Sequence, residues 1–377
     1  MAFELYTTQG GQRLRCGYTT GTCAALAAQG AARALLTGVL PAAETVVTPK
    51  GPAVTASLRP LDAPAGSVCC AVQKDGGDDV DATDGAWIAA TVSRLPDGVE
   101  IDGGSGVGRV TLPGLDQPVG AAAINSTPRR MIAEAVRSVA AQCGYRGGFR
   151  VVISVPGGEA LAEKTFNPML GITGGISILG TGGIVEPRSL RALLDSLAVE
   201  VRVQGAQGVR DLIVTPGNYG EHFLAAFPGL RAMPQVKCAN FIGDTLDLCR
   251  ENGIETVLLV GHLGKMVKVA GGIMDTHSRV ADCRVELFAA HAALAGASRE
   301  TVARLMEAAT SDACVAILDE AGLRTPVLGS LVAAAQGHLT RRAAPMRVGL
   351  VTYTNQYGLL AVSDTANQIL TDWGQTL

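Results

Sequence analysis

After the run Gly144-Tyr145-Arg146-Gly147-Gly148 the pattern of the chain changes, and this change limits its fold more than any other feature. Beyond it, short and continuously apolar segments alternate with helical stretches, at 149–155, 189–201, 212–215, 241–252 and 256–260. Strands that are apolar along their whole length need cover on both faces, so the alternation predicts a mostly parallel sheet clad by helices. The expected organisation is an α+β N-terminal domain over 1–146 and an α/β C-terminal domain with that sheet over 147–377.

Ahead of the change, an Ala/Leu-rich stretch at 22–37 has threonines before it and Gly38 after it, which predicts a capped helix with a glycine stop. Short β-rich runs follow at 44–48, 53–58, 67–73 and 87–95. Thr127-Pro128 opens a second helix whose apolar face holds Met131, Ile132, Ala135, Val136, Val139 and Ala140, with Gly144 ending it. Near the C-terminus, helices are expected at 299–309 and 326–341, then a hairpin of 347–353 and 358–363 around Thr354-Asn355-Gln356-Tyr357. That hairpin, within 346–363, is free to pack back on the first domain.

In open α/β sheets ligands bind beyond the carboxyl ends of the strands. Three polar, glycine-containing turns follow predicted strands: Pro156-Gly157-Gly158-Glu159, Pro216-Gly217-Asn218-Tyr219-Gly220 and Gly261-His262-Leu263-Gly264-Lys265. They are expected to sit together.

Charge and composition exclude several functions. With 31 Lys+Arg against 34 Asp+Glu, the chain lacks the basic field that nucleic-acid backbones require. Aromatics are only 4%, too few for a base-stacking platform. No charged segment precedes an apolar core at the start, and no run of ~18 apolar residues occurs, so a cytoplasmic protein without membrane contact is expected. Nine cysteines without a CxxC spacing argue against a disulfide framework or a zinc site.

Four segments can carry chemistry. Glycines make up 47 of 377 residues and are densest at 171–183, where Gly174, Gly175, Gly180, Thr181, Gly182 and Gly183 precede Glu186. Such a cluster lets a ligand approach backbone amides, with the acid available to ribose hydroxyls; a tight structural turn explains it as well. Five carboxylates lie between Asp75 and Asp84, but an EF-hand loop from Asp79 would need Gly and Glu where Asp84 and Ala90 stand, so a solvated acidic turn is the better reading. His262 is placed at a strand end with Lys265 and Lys268 three apart on the helix that follows, able to face an anionic ligand together. Asp275-Thr276-His277-Ser278-Arg279 adds His277 and Arg279 shortly afterwards.

In this order the segments resemble the CbiD family, cobalt-precorrin-5B C1-methyltransferases. The resemblance rests on Gly17-Tyr18-Thr19-Thr20-Gly21-Thr22-Cys23-Ala24, the Lys74–Asp79 loop, Gly106–Thr111, Ala123–Asn125 with Pro128-Arg129, Val155–Glu159 and Thr165–Pro168. It continues through Gly174–Thr181, Gly183–Pro187, Pro216–Gly220, Asn240–Asp244, and Gly261-His262 to Thr276–Ser278. The chain departs from the family at Val80–Asp84, where the family has a histidine, and at Ala121, Ser126, Gly182 and Asp275.

The resemblance implies a ribosomal-S5-like α+β fold for the N-terminal half. It also implies methyl transfer from S-adenosylmethionine to C1 of cobalt-precorrin-5B, a corrinoid, with no protein-bound metal. On this reading the adenosyl group lies against Gly174–Gly183 with Glu186 on the ribose. Asn218, Tyr219, Lys265, Lys268, His277 and Arg279 then hold the corrinoid and its carboxylates, and either His262 or Asp244 is the base. A homo-oligomer is compatible with it. Two other readings account for fewer residues: a nicotinamide- or nucleotide-dependent enzyme, whose glycine fingerprint is incomplete here, and a corrinoid carrier without turnover.

Overall fold

Thr19 closes the start of the first helix by accepting a hydrogen bond from the Thr22 amide at 3.2 Å, and Gly38, at φ 80°, ends it with its own amide on the Ala34 carbonyl. In this computed structural model, which describes residues 3–377, the helix is α1 (Thr20–Thr37) and belongs to the first of two units, divided at Leu190 and Arg191.

The first unit is built on β1 (Arg59–Leu61), β2 (Ser67–Gln73), β3 (Trp87–Leu95), β4 (Val99–Gly103), α2 (Ser126–Gln142) and β5 (Gly148–Ser154). The strand order is β1-β2-β3-β5-β4, antiparallel throughout except that β5 runs parallel to β4. Strand alternation sends Cys70 and Val72 into the main core with Leu26, Ile132 and Phe149, while Cys69 and Ala71 join Ala89 in a smaller cluster on the other face.

The boundary expected at 146/147 falls inside this unit. The glycine run ends α2 and returns the chain as β5, a strand flanked on both sides in the sheet. Gly148 lies where a Cβ would strike the backbone of Asp97 and Gly98, so glycine serves close strand approach there, not a linker. Further on, Gly175–Ile176 pairs with Gly106–Val107 and Ile184–Val185 pairs with Gly17–Tyr18.

The second unit contains α3 (Leu190–Ala206), β6 (Asp211–Thr215), β7 (Gln235–Lys237), α4 (Ile242–Glu251), β8 (Thr256–His262), α5 (Leu263–Ala270), α6 (Arg284–Leu294), α7 (Arg299–Met306), α8 (Ser311–Glu320), α9 (Arg324–Ala343), β9 (Arg347–Thr354), β10 (Gly358–Val362) and α10 (Asp364–Asp372). Its sheet has the order β7-β6-β8-β9-β10; the first four strands are parallel and β10 is antiparallel to β9. Leu212, Val257 and Leu259 enter one core with residues of α4, α5 and α9, and Ile213, Leu258 and Val260 enter another with α10.

The C-terminal hairpin is therefore part of this sheet. Val348, Leu350, Val351 and Tyr353 are buried on alternating faces, which makes β9 an interior strand. The turn 156–159 follows β5 of the first unit, so the three glycine-containing turns do not share one sheet edge. Among the described residues no helix is long and apolar enough to cross a membrane.

Every carboxylate of the acidic loop has a partner within the first unit. Asp75 pairs with the Arg15 guanidinium at 2.6 Å, Asp78 and Asp79 accept from the amides of Arg15 and Arg188, and Asp84 accepts from the Gly76 amide. Asp81 accepts from the buried Lys74 ammonium at 2.6 Å and from Thr83. Burial works to raise the Asp81 carboxyl, but the Lys74 charge and these hydrogen bonds outweigh it and hold its pKa below 3.8. A carboxyl depressed in the folded state contributes stability above its unfolded pKa and loses it as pH falls through the folded one. Urea unfolding should show the first unit weakening as pH drops below about 4. Lys74→Ala should cost roughly 3–5 kcal/mol at pH 7; an unchanged midpoint would refute a structural role for the pair.

Candidate functional site

Parallel strands turn all their carboxyl ends to one side, and in the second unit that side gathers the polar residues. His262 is the last residue of β8 and the N-cap of α5, its Nδ1 accepting the Gly264 amide at 3.2 Å. Its ring centre lies 5.8 Å from that of Tyr353, edge-on, and 6.3 Å from that of Tyr219. Burial lowers the His262 pKa below 6.5, and Lys265 adds to this against the opposing charge of Asp312. The ring is therefore neutral at pH 7. With Nδ1 turned to the Gly264 amide, the tautomer inferred from that contact offers Nε2–H as a donor. This arrangement suits orienting a ligand rather than taking its proton.

Lys265 and Lys268 do not present their charges to a common ligand. The Lys265 ammonium donates to the carbonyls of Pro216 at 3.1 Å and Ala239 at 2.9 Å, which joins the segments leaving β6 and β7. Lys268 is buried and donates to the carbonyls of Thr276 at 3.2 Å and Ala281 at 2.9 Å. Both ammoniums satisfy backbone acceptors that the loops leave without a ladder partner.

At the neighbouring strand ends, Asn218 accepts from Lys237 at 3.4 Å, and Lys237 pairs with Glu221 at 2.6 Å. Tyr219 beside them is 60% exposed. Burial pushes the Glu200 carboxyl of α3 up to about 7, with the Lys237 charge pulling against the shift. Asp244 lies exposed in the first turn of α4 and has no hydrogen-bond or ion-pair partner among the described residues. In the loop after α5, the His277 amide donates to Asp275 at 3.0 Å, His277 Nδ1 accepts the Arg279 amide at 3.0 Å, and the Arg279 side chain is exposed.

A cavity of about 360 Å³ adjoins this end, between the start of α6, the loop 307–310 and the start of α8. Ser311 forms part of its wall and is 5% exposed, with no hydrogen-bond partner for its hydroxyl; Oδ1 of Asp312 is likewise buried and unpartnered among the described residues. A Cβ placed on Gly264 would lie 3.3 Å from Ser311 Oγ and 3.4 Å from His262 Nδ1, so this wall borders the His262 turn.

The glycine cluster lies in the first unit, and the close approach it permits is to its own chain. A Cβ on Gly175 would strike the Gly106 backbone, one on Gly180 the Thr19 side chain, and one on Gly183 the side chains of Thr48 and Thr22. Thr22 donates to the Gly183 carbonyl at 2.7 Å, and Lys50 forms an ion pair with Glu186. Gly174, at φ 79°, and Gly182, 3.6 Å from the Lys50 side chain, have more room, and Thr181 is exposed. The cluster expected to cradle the donor thus folds over the start of α1.

Sequence reasoning missed Glu200, Lys237, Ser311 and Asp312. Charged residues on amphipathic helices and at strand ends read as solvated faces, and nothing local in sequence shows that burial or orphaned oxygens will single them out.

An α/β unit with its polar and aromatic side chains collected at the carboxyl edge of parallel strands is the architecture of a small-molecule enzyme. The chain belongs to the CbiD family: the pattern described as CbiD matches residues 7–187, and that of the CbiD C-terminal domain matches 275–364. It is 48% identical over 354 residues to a cobalt-precorrin-5B C(1)-methyltransferase of Ruminiclostridium cellulolyticum, covering 93% of this chain and 92% of that one. To the enzyme of the same name from Alkaliphilus metalliredigens it is 40% identical, covering 97% of each. The crystal structure of a cobalamin biosynthesis protein (cbiD) from Archaeoglobus fulgidus aligns with 73% of this chain and 86% of its own, at 29% identity and a TM-score of 0.40.

The two kinds of glycine can be told apart by substitution. Gly175→Ala should destabilise the first unit by about 1–3 kcal/mol through overpacking, whereas Gly182→Ala should stay within about 0.5 kcal/mol. Equal thermal shifts for the two variants would contradict the packing account.

Proposed function

We propose that this protein methylates carbon C1 of cobalt-precorrin-5B with S-adenosylmethionine, giving cobalt-precorrin-6A in anaerobic cobalamin biosynthesis. The observation that carries this reading is 48% identity, across 93% of the chain, to a cobalt-precorrin-5B C(1)-methyltransferase. Bound S-adenosylmethionine supplies an electrophilic sulfonium methyl: the bond to C1 forms as the bond to sulfur breaks, and the electron pair stays on sulfur.

The chain's own residues then have to align two ligands and limit water between them. The exposed ring of Tyr219 beside neutral His262 offers a flat surface for a flat macrocycle. Exposed Arg279 and the half-exposed Lys237 supply cations for peripheral carboxylates, Arg279 as a two-point donor. His262 Nε2–H donates to a ligand polar group. Glu200, poised near neutrality by burial, is the group best matched to taking a proton, and Asp244 at the start of α4 stands as the second candidate. The cavity bordered by Ser311 has room for part of the donor.

Anaerobic incubation with cobalt-precorrin-5B and methyl-labelled S-adenosylmethionine should place the label on C1, read by mass spectrometry and NMR. Corrinoid binding without label transfer would leave the protein a carrier and overturn the reading.

A base must be ionised to act, so with Glu200 near 7 the kcat/KM should rise with pH through about 7. Glu200→Gln should remove this limb and lower the plateau by about 10²-fold. Persistence of the limb in the variant would exclude Glu200 as its source.

A further inference from the structure

We infer that the cavity between the starts of α6 and α8 holds the amino-acid end of the methyl donor, its α-carboxylate and α-ammonium. This rests on the methyl-transfer reading and adds a place for one ligand. The cavity, about 360 Å³, falls in the range of small-molecule sites.

Its lining is suited to a zwitterion. The helices α6 and α8, of 11 and 10 residues, both begin at the cavity, and the amides of Val285, Glu286, Ser311 and Asp312 have no hydrogen-bond acceptor among the described residues. Two helix starts together favour an anion. Arg284 adds a guanidinium that gives Nε and Nη2 to Asp282, each at 2.7 Å, which fixes its plane and leaves Nη1 without a partner. Two carboxylates, Asp282 and Glu286, stand in the same lining, and Glu286 has no side-chain partner among the described residues.

A second, independent observation points to a ligand. Ser311 is 5% exposed, lines the cavity and leaves its hydroxyl without a hydrogen bond. An orphaned polar group of this kind carries a desolvation cost that a bound polar partner removes.

Net charge separates the two ligands of the reaction. The ionised side chains of the lining, Asp282, Glu286 and Arg284, sum to one negative charge. The donor carries a sulfonium, an ammonium and a carboxylate, a net positive charge, whereas the corrinoid is a polyacid that this lining would repel. The wall at Ser311 also borders the His262 turn, so a ligand seated here adjoins the strand ends where the macrocycle is placed.

The test is calorimetry on the full chain with three titrants: S-adenosylmethionine, S-adenosylhomocysteine and 5′-methylthioadenosine, which keeps the nucleoside and lacks the amino-acid end. Arg284→Gln and Glu286→Gln should each weaken the first two by roughly tenfold or more and leave methylthioadenosine unchanged. Glu286 is exposed, so its variant keeps the test open should Arg284→Gln misfold. Unchanged affinity for S-adenosylmethionine in both variants overturns the inference, as does an equal loss for methylthioadenosine. Loss of cobalt-precorrin-5B affinity instead would assign the cavity to the acceptor and also overturn it. A wild-type chain that binds none of the three titrants would fail the methyltransferase reading itself, a result distinct from these.

Discussion

A single ammonium, that of Lys265, sets the geometry of the second unit's polar end. It reaches from the first turns of α5 to the carbonyls of Pro216 and Ala239, beyond the ends of β6 and β7. Parallel strands are tied along their length by ladder bonds, but the segments that leave them are not, and their carbonyls would otherwise need water. Burial lowers the Lys265 pKa, so holding the charge there is costly; two charge-assisted hydrogen bonds offset that cost. Lys268, one turn later, ties the 276–281 segment to the same helix. The turn with Tyr219, the segment leading to α4 and the loop with His277 are all referenced to α5 in consequence.

The first unit uses glycine for a comparable purpose. Where the second unit secures its loops with cations, the first lets backbones meet directly, as at Gly175 against Gly106 and Gly148 against Asp97 and Gly98. A glycine-rich segment after an apolar run carries the same signature whether its missing side chains make way for a ligand or for the chain itself. Here Thr19, Thr22, Thr48 and Gly106 occupy the space.

These two cases show what was legible in the sequence. The caps of α1 at Thr19 and Gly38, the buried face of α2 and the location of most strands follow from periodicity and turn chemistry, which are local. The unit boundary did not follow. Gly144–Gly148 has the composition of a linker, and only strand pairing 50 residues apart, Val151 with Val92 among others, shows it to be a turn inside a sheet. His262 and Tyr219 were found because residues at the ends of apolar strands are exposed to ligands by construction. The roles of Lys265 and Lys268 were misjudged because spacing on a helix tells which side a charge takes, not whether a carbonyl already waits there. Glu200, Ser311 and Asp312 acquire their character from burial alone, a property of the folded unit.

The distribution of charge at this end bears on how two unlike ligands are kept in register. A polyanionic acceptor and a net-cationic donor attract one another in water without any preferred orientation. The second unit separates the fields that receive them: exposed Arg279 and Lys237 lie by the turns, while Asp282, Glu286 and the orphaned Asp312 oxygen lie beyond the Ser311 wall. Between them His262 is held neutral by burial, so it adds a hydrogen-bond donor without a charge that would draw either ligand out of place. Such a division directs each ligand to its own side, and for a displacement at carbon alignment accounts for a large part of the barrier that a protein can remove. It also explains why the residues that organise this end are mostly paired within the chain: groups already satisfied by backbone carbonyls keep their positions when ligands enter, which is what a preorganised site requires.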